Sequence, residues 1–220
     1  MMNSDISQNF RSLMIFTAAY VVLVAAIIML PGKIPYEMVR ENGPVETFSV
    51  GGYFLFCLFI VYFNVAGILR TDIAPGFFVL LLGLRELDFH ARFTTMGMFK
   101  IKFFISTEVP LAEKLVVILF IVALVAYAFF FLRGKLGRFK ADLLAGSSYA
   151  FSIACALGCL VFSKFLDGNS ELFEYLLRID ESSQLPRAAE ECMELFIPVF
   201  LVRALLQYAE KRLCSGRSPY

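Results

Sequence analysis

The run LVVILFIVALVAYAFFFL, residues 115–132, decides the fold of this chain. It contains no charged side chain, and about 20 apolar residues in a helix are enough to cross the hydrocarbon core of a bilayer. The rest of the chain has the same character, because hydrophobic residues make up 59% of its 220 residues and the mean hydropathy is +0.74. Both values exceed those of ordinary soluble domains and predict an integral membrane protein.

Five further stretches have a comparable apolar character. We therefore predict an all-α fold, a polytopic transmembrane helical bundle of about six spans that forms a single domain over residues 1–220. The third span is the weakest, since its uninterrupted apolar run stops at Leu84. The spans are expected near residues 12–30, 47–69, 74–91, 110–132, 142–166 and 188–210.

Charge in the connections predicts the orientation of the bundle. Six spans place both termini on one side of the membrane. The compact cluster GKLGRFK, residues 134–140, would then lie on the same side, and short basic connections of this kind face the cytoplasm. The first apolar run is too long for a signal peptide and is followed by no small-residue cleavage site. We predict a retained first span and both termini in the cytoplasm.

Composition excludes several classes of function. The net charge of +1 gives no field that would attract nucleic acid. The five cysteines form no CxxC pair and show no metal-ligand spacing, and inside apolar spans they are typical packing residues. The single histidine excludes a haem held by two histidines, and no glycine-rich phosphate-binding loop is present.

Carboxylates at the ends of the spans share one predicted depth. On the six-span topology, spans two and six begin on the outer side, and spans three and five end there. Ionisable groups near hydrocarbon cost roughly 2.5–3.5 kcal/mol on insertion scales and seldom face lipid. We therefore predict a polar site at the outer end of the bundle. Its members are Glu46, the stretch RELDFH (residues 85–90), Asp167, Glu190, Glu191 and Glu194.

Helical spacing and chemistry favour an ion-binding site. Glu86 and His90 are four residues apart, as are Glu190 and Glu194, so each pair shares a helix face. Carboxylates with an imidazole suit a divalent cation. The predicted metal ligands are Glu86, His90, Glu190 and Glu194, and Glu46 or Asp88 would act as the acid or base. The cofactor of such a site would be one divalent metal ion. Without a metal, crowded carboxylates hold protons more tightly and can relay them.

Structural explanations compete with a functional one. Helix dipoles favour carboxylates at helix N-termini, which accounts for Glu46 and Glu190. The cations Arg85, Lys164 and Arg187 could close the cluster as ion pairs. Glu86, by contrast, lies near the C-terminal end of its helix, where the dipole disfavours a carboxylate.

Two outer connections also carry expectations. Residues 93–109 mix Phe, Met and Ile with two lysines, which predicts a segment in the membrane interface that gates or binds a substrate. Residues 170–178 are predicted to form a short helix.

Three polar stretches together resemble an uncharacterised family of bacterial inner-membrane proteins. They are ENGPVE (residues 41–46), RELDFH (85–90) and EECMEL (190–195). The resemblance implies a multi-pass protein of the bacterial inner (plasma) membrane with six or seven spans and no known activity. The chain is more distantly similar to the ceramidase-like membrane hydrolases, in which histidines and acids hold a metal near a serine. That likeness implies roles for His90, Asp88 and Ser49, although this group uses three histidines and the chain has one.

Two functions therefore remain open. The first is a non-catalytic membrane subunit or carrier whose cluster binds an ion, a proton or a partner membrane protein. The second is a metal-assisted hydrolase or transferase that acts on a lipid-like substrate from the outer leaflet. A closed cluster, with its carboxylates paired to cations, favours the first function, and an open metal position favours the second. The lipid bilayer is the partner in both cases.

Overall fold

The computed structural model describes residues 2–69, 73–87, 89, 101–169 and 184–214. Within these ranges the chain is helical and has no strand, which confirms the predicted all-α fold. The helices in these ranges are α1 (Met2–Ile28), α2 (Ile34–Val39), α3 (Pro44–Val65), α4 (Ala74–Glu86), α5 (Ile101–Ile105), α6 (Leu111–Leu144), α7 (Ser148–Gly168) and α8 (Leu185–Cys214).

Five helical stretches in the described ranges are long and apolar enough to cross a membrane. They overlap five of the six predicted spans, and the chain is a membrane protein built as a helical bundle. The stretches are Ser7–Ile28, Ile34–Val65, Leu111–Leu144, Ser148–Gly168 and Leu185–Cys214.

The predicted third span is the 13-residue helix α4, which at 1.5 Å per residue covers only about 20 Å. Helix α4 runs antiparallel to α3, since Gly76 lies against Ile60 and Gly83 lies against Tyr53. A Cβ at either glycine would lie 3.0 Å from its neighbour, so the missing side chains allow the close approach. Helix α4 returns the chain towards the N-terminal end of α3 and ends at Glu86.

Helix α8 lies at the centre of the bundle and packs against α1, α3 and α7. Helix α1 is antiparallel to α8: the Arg203 guanidinium donates to Ser12 Oγ (2.6 Å), and the Tyr20 hydroxyl donates to the Ala189 carbonyl (3.0 Å). The Arg203 guanidinium also lies 5.0 Å from the centroid of the Phe16 ring. This intramembrane cation is thus bound inside the bundle, as intramembrane charges usually are.

Contacts at one end of the bundle bring the ends of three segments together. The Asn9 amide donates to the Gly146 carbonyl (3.0 Å), and the Lys211 ammonium donates to Ser147 Oγ (3.3 Å). The start of α1, the α6–α7 turn and the end of α8 therefore share one end, which we name the terminal end. The side of the membrane that this end faces stays a prediction.

Helices α3 and α8 meet where Gly52 faces Pro198, and a Cβ at Gly52 would lie 2.8 Å from the Pro198 ring. Pro198 is inside α8 and has no N–H, so the carbonyl of Glu194, four residues earlier, lacks its helical donor. The apolar core forms around this contact, from Tyr53, Phe56, Ile60, Val79, Ala156, Phe196, Ile197, Phe200 and Leu205.

The basic stretch 134–140, expected as a connection between spans, is helical. It continues α6 without a break to Leu144, and α7 begins at Ser148. The physical reason is propensity, because Leu, Lys and Arg favour a helix and each glycine costs only about 1 kcal/mol. Among the residues of α6 only Val117 is buried, so this helix lies at the edge of the bundle.

The predicted interface segment, residues 93–109, is described only from residue 101 onwards. There it forms α5, and Phe103 is fully buried against Val109 and Val117 instead of facing lipid. The predicted helix at 170–178 lies outside the described residues.

Candidate functional site

Four of the six predicted site residues lie in the described part of the chain. Glu46 lies in the first turn of α3, Glu86 ends α4, and Glu190 and Glu194 lie in α8. The structure brings Glu86, Glu190 and Glu194 together at the end of the bundle opposite the terminal end. Asp88 and His90 lie outside the described residues.

Lys164 of α7 lies among three carboxylates. Its Nζ is 2.9 Å from Glu194 Oε1, 3.5 Å from Asp167 Oδ2 and 3.9 Å from Glu190 Oε1. The sequence offered Lys164 only as one of several counter-ions. It occupies this position because the antiparallel packing of α7 on α8 sets residue 164 opposite the first turns of α8. An ammonium already stands where a bound cation would have to sit.

Glu194 is the most enclosed member of the cluster, with 6% of its surface exposed. Its Oε1 is paired in charge with Lys164 but has no hydrogen-bond partner, since the 2.9 Å contact lacks hydrogen-bond geometry. The carboxyls of Glu86 from α4 and of Glu194 lie close enough for their charges to interact. Two neighbouring carboxylates repel each other, which favours the state in which one of them holds a proton.

Helix α4 supplies a second cation and α3 supplies a phenol. Arg85 Nη1 lies 4.0 Å from Glu86 Oε1, and only 10% of the Glu86 side chain is exposed. Tyr53 is buried and lies close enough to both Glu86 and Glu194 to interact with their charges. Nothing in the sequence indicates Tyr53 as a site residue, because an aromatic residue in an aromatic-rich span is typical of the core.

Two further carboxylates, Glu191 of α8 and Glu46 at the start of α3, lie close to each other. Glu191, turned about 100° from Glu190 on the helix, interacts with Glu46 and Glu194. A Glu46 carboxylate oxygen accepts a hydrogen bond from the Asn42 backbone N–H. Glu46 therefore stabilises the entry to α3, which is the structural role that its place in the first turn predicted.

The remaining cation, Arg187, fastens α8 to a neighbouring helix: its Nε donates to the Val39 carbonyl of α2 at 2.9 Å. The six described carboxyls of the cluster thus face three cations. If every group were ionised the cluster would carry three negative charges, which a site inside a bundle disfavours. The carboxyls are Glu46, Glu86, Asp167, Glu190, Glu191 and Glu194, and the cations are Arg85, Lys164 and Arg187.

The carboxylates of the described residues do not form a metal-binding arrangement. In the described ranges no three His, Cys, Asp or Glu side chains have an arrangement that could hold a metal ion. At Glu190 and Glu194 the carboxylate oxygens lie near the Lys164 ammonium of the chain itself, at 3.9 and 2.9 Å. The predicted ligand His90 lies outside the described residues, so the metal site stays a prediction.

Two further features bear on the hydrolase hypothesis. Ser49, the serine that the ceramidase-like resemblance implies, is buried and donates to the Val45 carbonyl within its own helix (3.2 Å). An open cavity of about 520 Å³ lies between α1, α7 and α8, lined by residues such as Tyr20, Phe162 and Ala189. None of the predicted site residues lines that cavity.

Comparisons with known proteins add no family to this description. No protein-family model matches the chain, and neither a curated protein nor a solved structure matches it significantly.

Proposed function

We propose that this protein is a non-catalytic membrane carrier or membrane subunit that binds and releases protons at the carboxylate cluster. The observation that carries the proposal is the Glu86–Glu194 carboxyl pair, which Lys164 approaches from a third helix. Two enclosed carboxyls whose charges interact favour the state in which one of them holds a proton, because ionising both brings like charges together. The pair is therefore a proton-binding group.

The surroundings make this proton exchangeable. Glu194 is enclosed, whereas Lys164 beside it is partly exposed and Asp167 is exposed, so these two side chains connect the pair to the end of the bundle. Lys164 Nζ lies 2.9 Å from Glu194 Oε1, and Glu190 offers a second acceptor 3.9 Å from the same ammonium. Proton gain and loss would thus change the pairing between α4, α7 and α8.

The cluster fits this function better than metal-assisted hydrolysis. A catalytic metal needs several converging ligands and an open coordination position. Lys164 lies where ligand atoms of α8 would have to converge, and in the described residues the carboxylates meet cations of the chain itself. This closed arrangement is the one expected for a carrier or subunit.

Infrared spectroscopy of the full-length protein in liposomes tests the shared proton. We expect a protonated-carboxyl C=O band that titrates with pH, and we expect both Glu194→Gln and Glu86→Gln to remove it. The matched control is Glu210→Gln, which changes an exposed glutamate of the same helix outside the cluster. A band that persists unchanged in Glu194→Gln would contradict the proposal.

The same liposomes distinguish the two hypotheses about function. We expect a proton-dependent flux under an imposed pH gradient to fall at least about ten-fold in Glu194→Gln and not in Glu210→Gln. Elemental mass spectrometry of the purified wild type tests the alternative, metal-dependent function. A stoichiometric divalent metal that is lost in Glu194→Gln would favour the hydrolase hypothesis instead.

A further inference from the structure

Arg203 lies inside the spanning helix α8, and its partners among the described residues are all neutral. Its guanidinium donates to Ser12 Oγ at 2.6 Å and lies 5.0 Å from the centroid of the Phe16 ring. In the orientation that satisfies both ends of the Gln207 amide, the amide oxygen accepts from Arg203 Nε at 3.2 Å. These groups hold the guanidinium in place, but none of them compensates its positive charge.

The carboxylates of α8 itself lie too far along the helix to pair with Arg203. Glu194 precedes it by nine residues and Glu210 follows it by seven, which separates their Cα atoms from that of Arg203 by about 13 Å and about 10 Å along the axis. Glu194 is also paired in charge with Lys164. An intramembrane cation without a counter-ion is costly, and such cations usually pair. The counter-ion of Arg203 must therefore come from a group that the described residues do not supply.

The Arg203 guanidinium lies at the depth where the hydrocarbon meets the lipid headgroups. Residues 12–28 of α1 carry no charge and cover about 26 Å, close to the ~30 Å hydrocarbon core. Ser12 is the first residue of this uncharged run, and Asn9, one turn before it, bonds to the Gly146 carbonyl at the terminal end. The guanidinium lies beside Ser12. It is therefore at the boundary of the leaflet on the terminal side, which we name the terminal leaflet.

The seam between α1 and α8 leaves Arg203 able to bind a further group. Arg203 is only half-buried, so the seam does not seal it from the membrane. Ser12 and Gln207 occupy two of the N–H groups of the guanidinium, which has five. The planar guanidinium matches the spacing of two phosphate oxygens and binds them with two parallel hydrogen bonds. A phosphate at this depth would provide both the missing charge and the missing acceptors.

We propose that Arg203 binds the phosphodiester of an anionic phospholipid of the terminal leaflet, at a site formed with Ser12 and Phe16 in the α1–α8 seam. Ser12 orients the guanidinium, and the Phe16 ring attracts its charge. Basic sites between spanning helices recognise anionic headgroups in this way. Depth favours a lipid over an acidic side chain of a partner protein, because phospholipid phosphates lie at this boundary. An anionic lipid is preferred to a zwitterionic one, since the latter carries its own cation beside the phosphate.

Native mass spectrometry of the full-length protein tests the site, after delipidation in detergent and titration with phosphatidylglycerol or phosphatidylcholine. We expect the wild type to bind phosphatidylglycerol with an apparent affinity at least about three-fold above that for phosphatidylcholine. Arg203→Gln should lower the affinity for phosphatidylglycerol about ten-fold, the loss expected for a hydrogen-bonded charge pair. The matched control is Arg11→Gln, which removes an exposed arginine of α1 at the same end and should leave the affinity unchanged. Inorganic phosphate should not compete with the lipid.

Four results would overturn the proposal. Equal losses in Arg203→Gln and Arg11→Gln would assign the binding to the general charge of the terminal end. Full competition by inorganic phosphate would assign Arg203 to a soluble anion. A wild type that binds neither lipid but retains a second protein, released by Arg203→Gln, would assign the counter-ion to an acidic side chain. If circular dichroism shows that Arg203→Gln does not fold, Ser12→Ala replaces it and should lower the affinity about three-fold by freeing the guanidinium. Unchanged lipid binding in the folded variant is the fourth contradicting result.

Discussion

Lys164 meets Glu194 where α7 packs on α8, and Glu86 of α4 reaches the same carboxyl from another helix. Side chains of three helices thus meet at one buried acid, Glu194. Its Oε1 is paired in charge with Lys164 but accepts no hydrogen bond. Removing one member of a buried ion pair leaves the other charge without compensation and costs more than the pair contributes as a whole. The loss of one partner should therefore lower the free energy of unfolding more than the loss of both.

Lys164→Met should lower the free energy of unfolding by about 1–3 kcal/mol, less than for a fully buried pair because the lysine is partly exposed. Adding Glu194→Gln should restore most of that loss, since the orphaned charge is then gone. Unfolding in mixed micelles with increasing SDS, followed by circular dichroism, gives both values. The control Lys33→Met changes an exposed lysine, and equal losses in the single and double variants would refute the pairing.

At the scale of elements, the contact between α3 and α8 sets the position of the site. Gly52 allows the Pro198 ring to approach α3, and this brings Tyr53 beside the Glu86 and Glu194 carboxyls. Pro198, one turn after Glu194, also leaves the Glu194 carbonyl without its helical donor. The Gly52–Pro198 contact therefore sets both the packing of α3 on α8 and the surroundings of the Glu194 carboxyl.

Gly52→Ala should destabilise the protein by about 1–3 kcal/mol, because its Cβ would lie 2.8 Å from the Pro198 ring and would force the helices apart. The adjacent Gly51→Ala is the matched control. A Cβ there meets nothing within 4 Å, so that variant should be neutral or slightly more stable through its higher helix propensity. The same SDS titration measures both, and equal effects would show that the contact does not limit packing.

At the scale of the whole molecule, the helix directions place the start of α1 and the end of α8 at one end of the bundle. Asn9 of α1 and Lys211 of α8 both contact the α6–α7 turn there. Helix α4 runs back towards the opposite end but is shorter than a full span. The carboxylate cluster lies near the end of the bundle opposite the terminal end. Positive charge in the α6–α7 region predicts that the terminal end faces the cytoplasm.

Cysteine labelling in intact cells tests this topology. With Cys57, Cys155, Cys159 and Cys192 changed to alanine, an introduced Lys33→Cys at the end of α1 should react with an impermeant maleimide from outside. The native Cys214, exposed at the end of α8, should react only after permeabilisation. Reaction of both thiols from the same side would contradict an arrangement in which α1 separates residue 33 from the terminal end.

The sequence by itself determined the helical class, the membrane location and the approximate place of five spans, because uncharged runs of bilayer length have no other favourable environment. It also indicated that Glu86, Glu190 and Glu194 share one depth, since the alternation of spans dictates which helix ends meet. Helical periodicity and hydropathy, however, carry no information on which faces of different helices touch. Only the tertiary structure decided that Lys164 lies among the carboxylates and that Tyr53 borders them. Those features depend on the Gly52–Pro198 contact and on the antiparallel pairing of α7 with α8, which are settled by packing between residues distant in the chain.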